Sequence, residues 1–238
     1  MRHLIAVLSM QLVLAWIVPA QAASLQISPV AVSFSSRQHA TTVTLRNPGN
    51  DPLFGQIRVF AWDQRDGSDQ LDATTELLAT PPIVKIPAGG EQVVRLVMAQ
   101  GAADGRERSY RLIVDEVPDP SLPRINGVVM RMRYSIPVFV AGDERDPAPA
   151  LSWTLTSDGS GVHVHVSNRG QLHAQIADMK IVDQGGHVVT GVGGLAGYAL
   201  RGRERLWRLT AGPEARQGPL TVHALVNGRE SSFPIPAE

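Results

Sequence analysis

Residues Gly127 to Val140 read GVVMRMRYSIPVFV, and the period of that stretch decides the fold. Its even positions, Val128, Met130, Met132, Tyr134, Ile136 and Val138, are all apolar. The odd positions, Val129, Arg131, Arg133, Ser135, Pro137 and Phe139, are mixed. Such alternation is the signature of a β-strand with one face turned to a core or a partner. For Ile136 and Val138 it predicts core burial. For Val128 to Tyr134 it predicts a binding surface, because this part follows the three-proline loop VPDPSLPRING and carries two methionines, side chains that adapt to irregular grooves. An exposed apolar strand edge needs a partner or a defence. Pro137, which has no ladder donor, suits an edge better than a sheet centre.

Working outward from this strand, apolar runs of similar length recur between Gly, Pro, Asn and Asp clusters, and almost nothing carries a helical period. Leu25–Phe34, Thr41–Arg46, Leu53–Trp62, Ile83–Ile86, Gln92–Met98, Tyr110–Val117 and Gly127–Val140 give the strand count of one immunoglobulin-like sandwich. The segment AGDERDPAPA, Ala141 to Ala150, is charged, proline-bearing and without apolar periodicity, which reads as a linker over 142–150. Beyond it, Ser152–Thr156, Gly161–Ser167, Ala174–Asp183, His187–Val189, Leu206–Thr210, Leu220–Val226 and Ser231–Ile235 predict a second, smaller sandwich. The expectation is an all-β chain with one sandwich over 23–141 and another over 151–238. The turns Asn47-Pro48-Gly49 and Asn168-Arg169-Gly170 each end the second strand of a half, a faint echo of duplication.

The first 22 residues have a basic start at Arg2, an apolar run from Leu4 to Val18 and the pattern Ala20-Gln21-Ala22, which reads as a signal peptide cut before Ala23. That run is shorter than the roughly 20 residues a spanning helix needs. An exported product follows. The chain balances 22 basic against 22 acidic residues, which argues against nucleic acid or an anionic membrane as partner. Only Lys85 and Lys180 are lysine; the other basic residues are arginines, suited to bidentate carboxylate pairing. With no cysteine, thiol chemistry and thiolate metal sites are excluded, and stability must come from the cores.

Motifs for enzymatic chemistry are weak. Neither lysine follows a glycine, so no phosphate loop exists. Gly191-Val192-Gly193-Gly194-Leu195-Ala196 matches Gly-x-Gly-x-x-Ala, but it lacks the strand and helix that would seat a pyrophosphate and reads as a flexible loop. His163 and His165 share one face of a predicted strand and could meet His173 or His187 at a metal; with no carboxylate at a helpful spacing they read instead as solvent-facing. No Gly-x-Ser-x-Gly elbow is present. No enzyme, cofactor or metal is expected.

At this point the residues resemble a family, the periplasmic pilus-assembly chaperones of the chaperone/usher pathway. LQISPVAVSF, Leu25 to Phe34, is similar to the family's opening strand. LLATPPIVKIPAGGEQVVRL, Leu77 to Leu96, resembles its central signature, and SYRLIVDEVP, Ser109 to Pro118, its penultimate strand. SIPVFV, Ser135 to Val140, resembles the end of the last strand in the branch that assembles archaic fimbriae and spore-coat-U-like subunits. The second half matches more loosely, through Ser167 to Gly170 and Arg201 to Arg208.

The resemblance implies two immunoglobulin-like sandwiches set in an L-shaped boomerang. It also implies donor-strand complementation, in which the chaperone lends its own strand to a subunit lacking one. The implied donor residues are Val128, Met130, Met132 and Tyr134. The implied partners are a pilus or spore-coat-U-like subunit, an outer-membrane usher and, for the free chaperone, a second copy of itself. Better-known members anchor the subunit's C-terminal carboxylate with an arginine and a lysine at positions that here hold Ala31 and Pro137. Arg133 and Arg131 have the parity of the missing lysine and are the expected substitutes, since guanidinium forks match carboxylates; Arg95 is expected to be structural. The competing reading is a two-sandwich binding module for carbohydrate or another protein, with Trp62, Trp153 and Trp207 as candidate sugar platforms.

Overall fold

A computed structural model describes residues 25–99, 105–119, 130–158, 161–210 and 219–235. The expected signal peptide and the donor residue Val128 lie outside them. The described residues form strands and no helix. In the first half these are β1 (Gln26–Ser28), β2 (Val32–Phe34), β3 (Ala40–Arg46), β4 (Leu53–Arg65), β5 (Ser68–Ala73), β6 (Leu77–Thr80), β7 (Ile83–Ile86), β8 (Glu91–Met98), β9 (Arg108–Val117) and β10 (Arg133–Val140). One sheet runs β1-β3-β8-β6; the other runs β2-β10-β9-β4-β5, with β7 also paired to β4. Their facing residues form one core that includes Leu45, Leu77, Leu96, Tyr110, Leu112, Ile136 and Val138.

The second half holds β11 (Leu151–Asp158), β12 (Gly161–Asn168), β13 (Ala174–Val182), β14 (Val188–Ala199), β15 (Arg203–Leu209), β16 (Leu220–Val226) and β17 (Arg229–Ile235). A sheet β11-β12-β15 packs on a sheet β14-β13-β16-β17 around Trp153, Ile176, Met179, Ile181, Trp207 and Val222. The expected all-β pair of immunoglobulin-like sandwiches in an L-shaped arrangement is therefore the fold.

Three expectations need correction. Leu25–Phe34 is not one strand: β1 pairs with β3 and β2 with β10, so the chain changes sheet across Pro29-Val30-Ala31, where no ladder forms. The strands β5 and β6 went unread, because β5 is an all-exposed edge strand and β6 turns only Leu77 fully inward. Gly191–Ala196 is not a loop but the middle of β14, an edge strand bulged against β13. A Cβ on Gly191 would lie 2.4 Å from the Met179 carbonyl oxygen, so the absence of side chains permits this approach while erasing the alternation that marks a strand.

The asparagine echo is structural. Asn47 donates from Nδ2 to the Asp51 carbonyl at 2.8 Å and accepts from the Gly49 amide at 3.0 Å. Asn168 does the same toward Leu172 and Gly170, again at 2.8 and 3.0 Å. Both side chains are buried, and each also reaches a distant carbonyl, Ile86 or Ala199.

Where the sandwiches meet, Trp62, Phe139, Tyr198 and Leu200 form a third apolar cluster. Buried Gln64 on β4 works there as a backbone substitute: Nε2 donates to the Tyr198 carbonyl at 2.8 Å, and Oε1 accepts from the Leu200 amide at 2.9 Å. The second half also docks through Asp63 with Arg203, Asp69 with Arg205, and the Leu206 amide with the Gly67 carbonyl. His173 completes the joint, its ring stacked on Phe139 and both its Nδ1 and its amide bonded to Glu107 at 2.8 Å. The segment 142–150 is tied down as well, since Ala148 and Ala150 carbonyls accept from Gln171 and Arg169.

Candidate functional site

The last strand of the first sandwich changes character along its length. Ile136, Val138 and Val140 point into the core, and Tyr134 packs half-buried against its rim. Met132 and Met130 follow on the same parity but are 46% and 82% exposed. The apolar face thus runs out of its own sandwich and continues into solvent. On the other face Arg133 and Ser135 are exposed, while Pro137 and Phe139 are covered.

Among the described residues, which resume at Met130, regular pairing starts at Arg133. The neighbour runs out there: the register that sets Arg133 against Asp115 would bring Met130 to Pro118, which lies beyond the end of β9 and has no amide proton. One bond does reach further, from the Glu116 amide to the Met132 carbonyl at 3.0 Å. That bond makes 132 and 116 a hydrogen-bonded pair, and in an antiparallel ladder such pairs alternate. The even residues of β10 therefore bond to β9, and the amides of Arg133, Ser135 and Phe139 face the opposite edge. There β2 covers only Val138 to Val140. Among the described residues nothing pairs with 133–137 on that edge, and Pro137, which has no amide proton, stands just before β2 begins.

Carboxylates surround the mouth. Asp115 bridges Arg133 at 2.5 Å and Arg58 at 2.6 Å. Burial works to raise its pKa, but the hydrogen bonds from Arg133 and Arg58 outweigh that and hold the carboxyl below its ordinary value. Arg133 is thus already engaged, although its side chain stays largely exposed. Arg131 is exposed and has no ion pair among the described residues. The Tyr134 hydroxyl donates to Glu116 at 3.1 Å; its pKa is pushed up to about 12, first by burial and then by the charge and hydrogen bond of Glu116.

Sequence reasoning missed Arg111. It lies across the ladder from Pro137, on the same face of the sheet. Its guanidinium sits 3.5 Å above the Trp62 ring at the joint of the sandwiches, and among the described residues no carboxylate lies within ion-pair distance. Burial lowers its pKa, with the charge of Asp69 as the largest opposing influence. Nothing in spacing along the chain links residue 111 to residue 137; only the register does. Arg95, expected to be structural, is exposed on β8. Trp62, Trp153 and Trp207 are all core residues, so none offers a sugar platform. The histidines are dispersed: His165 pairs with Glu204, His173 with Glu107 and His187 with Asp183.

The family profile of pili and flagellar-assembly chaperones, PapD N-terminal domain, matches residues 24–144. The probable fimbrial chaperone YadV of Escherichia coli K12 is 24% identical over 157 residues, covering 61% of this chain and 63% of that protein. The match thus spans under two thirds of that relative's length. Among solved structures, the CsuC–CsuE chaperone and tip adhesion subunit pre-assembly complex, from the archaic chaperone-usher Csu pili of Acinetobacter baumannii, superposes with a TM-score of 0.69 at 26% identity, covering 90% of this chain and 98% of the other. The YadV chaperone superposes with a TM-score of 0.66 at 23% identity, covering 89% and 99%.

Proposed function

The chain belongs to the pili and flagellar-assembly chaperones, and from that premise we propose that it captures a pilus subunit in the periplasm by lending it the open edge ahead of Pro137. The proposal extends to export by the signal peptide at residues 1–22, to subunits of the spore-coat-U-like kind and to delivery at an outer-membrane usher. The single observation that carries the reading is the continuation of the core parity into Met132 and Met130, exposed beside an unpaired strand edge. Side chains on one face of an extended strand recur every 6.8 Å or so, the spacing needed to fill successive pockets of an open groove. Each buried methionine would supply about 1.5–3 kcal/mol gross, less the cost of association. The free amides of Arg133 and Ser135 would continue the subunit's ladder. Val128 would fill a further pocket, and Tyr134 would stand at the boundary between the chaperone's core and the groove.

For the subunit's terminal carboxylate, the geometry favours Arg111 over Arg133 and Arg131. Arg133 is held by Asp115, and Arg131 is exposed, where a pair is worth about 0–1 kcal/mol. Arg111 is half-buried, braced by Trp62 and without an ion-pair partner among the described residues. The test is co-purification from the periplasm of the co-expressed subunit with wild type, Met130→Asp plus Met132→Asp, and Arg111→Gln. Loss of a stoichiometric subunit from the folded double variant supports the reading. Equal recovery with both chains, or none with wild type, refutes it. Unchanged recovery with Arg111→Gln refutes the anchor alone.

A further inference from the structure

The core-facing residues of β9 are Tyr110, Leu112 and Val114, and the next position on that parity is Glu116. A carboxylate therefore sits at the open end of the sandwich where a fourth apolar side chain would be expected. It is not idle. Oε1 accepts from the Tyr134 hydroxyl at 3.1 Å, and Oε2 accepts from the Met132 amide at 3.3 Å. In an undisturbed ladder the Met132 amide would donate to the Glu116 carbonyl; here the side chain takes that place, while the Glu116 amide still donates to the Met132 carbonyl. Asp115, on the opposite face, holds Arg133. Three consecutive residues ahead of the core are thus each gripped by one of two adjacent carboxylates: Met132 through its amide, Arg133 through its guanidinium and Tyr134 through its hydroxyl.

We propose that Glu116, assisted by Asp115, is a positioning residue for subunit capture. It clasps residues 132–134 as a finished strand end, so that the chain leaves the sandwich with Met132 and Met130 on a fixed parity and in a fixed register. This inference rests on the donor-strand reading above. An extended segment ordered before contact has less freedom left to lose on binding. The apolar groups alone cannot order it, since beyond Tyr134 they have no core to pack on. Charge-assisted hydrogen bonds do so without filling the space a subunit's groove would occupy.

Amide hydrogen exchange on the full mature chain decides the clasp without any subunit. In Glu116→Ala, protection of the Met132 amide should fall about tenfold, the effect of one lost charge-assisted bond, with a smaller fall at Tyr134. Val138 and Leu112 should be unchanged. Unchanged exchange at Met132, or loss spread equally to Val138 and Leu112, overturns the clasp. In Glu116→Gln the Tyr134 phenol should titrate below its wild-type position near 12; an unmoved titration also counts against it. The subunit that co-purifies with wild type should dissociate about tenfold faster from Glu116→Gln, the same lost charge-assisted bond read through binding. Retention unchanged despite lost exchange protection overturns the positioning role. If wild type retains no subunit, the donor reading and the capture role fall together, and exchange still reports the clasp.

Discussion

Replacing Gln64 with alanine should separate the two sandwiches energetically. Its side chain is buried and makes three hydrogen bonds: to Asp69 Oδ1 at 2.9 Å, to the Tyr198 carbonyl at 2.8 Å and from the Leu200 amide at 2.9 Å. The Asp69 carboxylate keeps Arg205 when the amide is removed. The Tyr198 carbonyl and the Leu200 amide lose their partners inside the apolar cluster, and a buried polar group left unsatisfied costs about 1–3 kcal/mol. Alanine recovers roughly 1.5 kcal/mol of side-chain entropy, which against about 2–6 kcal/mol for the two stranded groups leaves a net loss of about 0.5–4.5 kcal/mol from the joint. Gln64→Leu preserves volume but strands the same two groups, so it should lose nearly as much. Urea titration read by tryptophan fluorescence is the assay, because Trp62 lies in the joint whereas Trp153 and Trp207 lie in the second core. The Trp62 signal, isolated by Trp153→Phe and Trp207→Phe in a chain starting at Ala23 and so without Trp16, should move to lower urea while both cores hold. A midpoint within about 0.5 kcal/mol of wild type, the range of an ordinary surface change, would refute the argument.

Two further outcomes follow from local geometry. Tyr110 donates to Glu76 at 2.6 Å, and burial followed by that bond pushes its phenol up to about 12, as for Tyr134. Both folded values lie above the unfolded one near 10, so their contribution is complete below pH 10 and lost as pH rises toward 12; Tyr110→Phe should flatten the fall of the urea midpoint over that window, and an unchanged slope would contradict it. Gly170 allows the chain to pass the linker, where an added Cβ would lie 2.3 Å from the Ala148 oxygen and 2.4 Å from the Ala150 nitrogen. Gly170→Ala should therefore cost about 1–3 kcal/mol by overpacking against backbone, read from Trp153 and Trp207 fluorescence in urea, and an unchanged midpoint would show that the linker gives way freely.

Sequence legibility followed the physics of each element. Residues with one dry face and one wetter face were plain: β12 and β16 alternate cleanly because each has a core on one side. The all-exposed β5 and the glycine-rich β14 were opaque, since neither writes burial into side chains. The core parity that continues into Met132 and Met130 was legible from the same alternation, because it needs no knowledge of any other strand. The clasp and the joint were not. Glu116 meets Tyr134 across a ladder, and Gln64 meets Leu200 across 136 positions of chain. Arg111 becomes relevant only once it is known to stand opposite Pro137.

The paired asparagines give the molecule an internal standard. Asn47 and Asn168 perform the same bonding with the same spacing, one in each sandwich. Asn47→Ala and Asn168→Ala therefore remove nearly the same chemistry from two different bodies in one solution. The two asparagines differ in one bond each, Asn47 donating to the Pro87 carbonyl and Asn168 accepting from the Ala150 amide, so a difference between the variants larger than one such bond cannot be charged to the side chain deleted. It measures how much each sandwich holds in reserve, and so which half of the chain sets the limit on how long the whole endures.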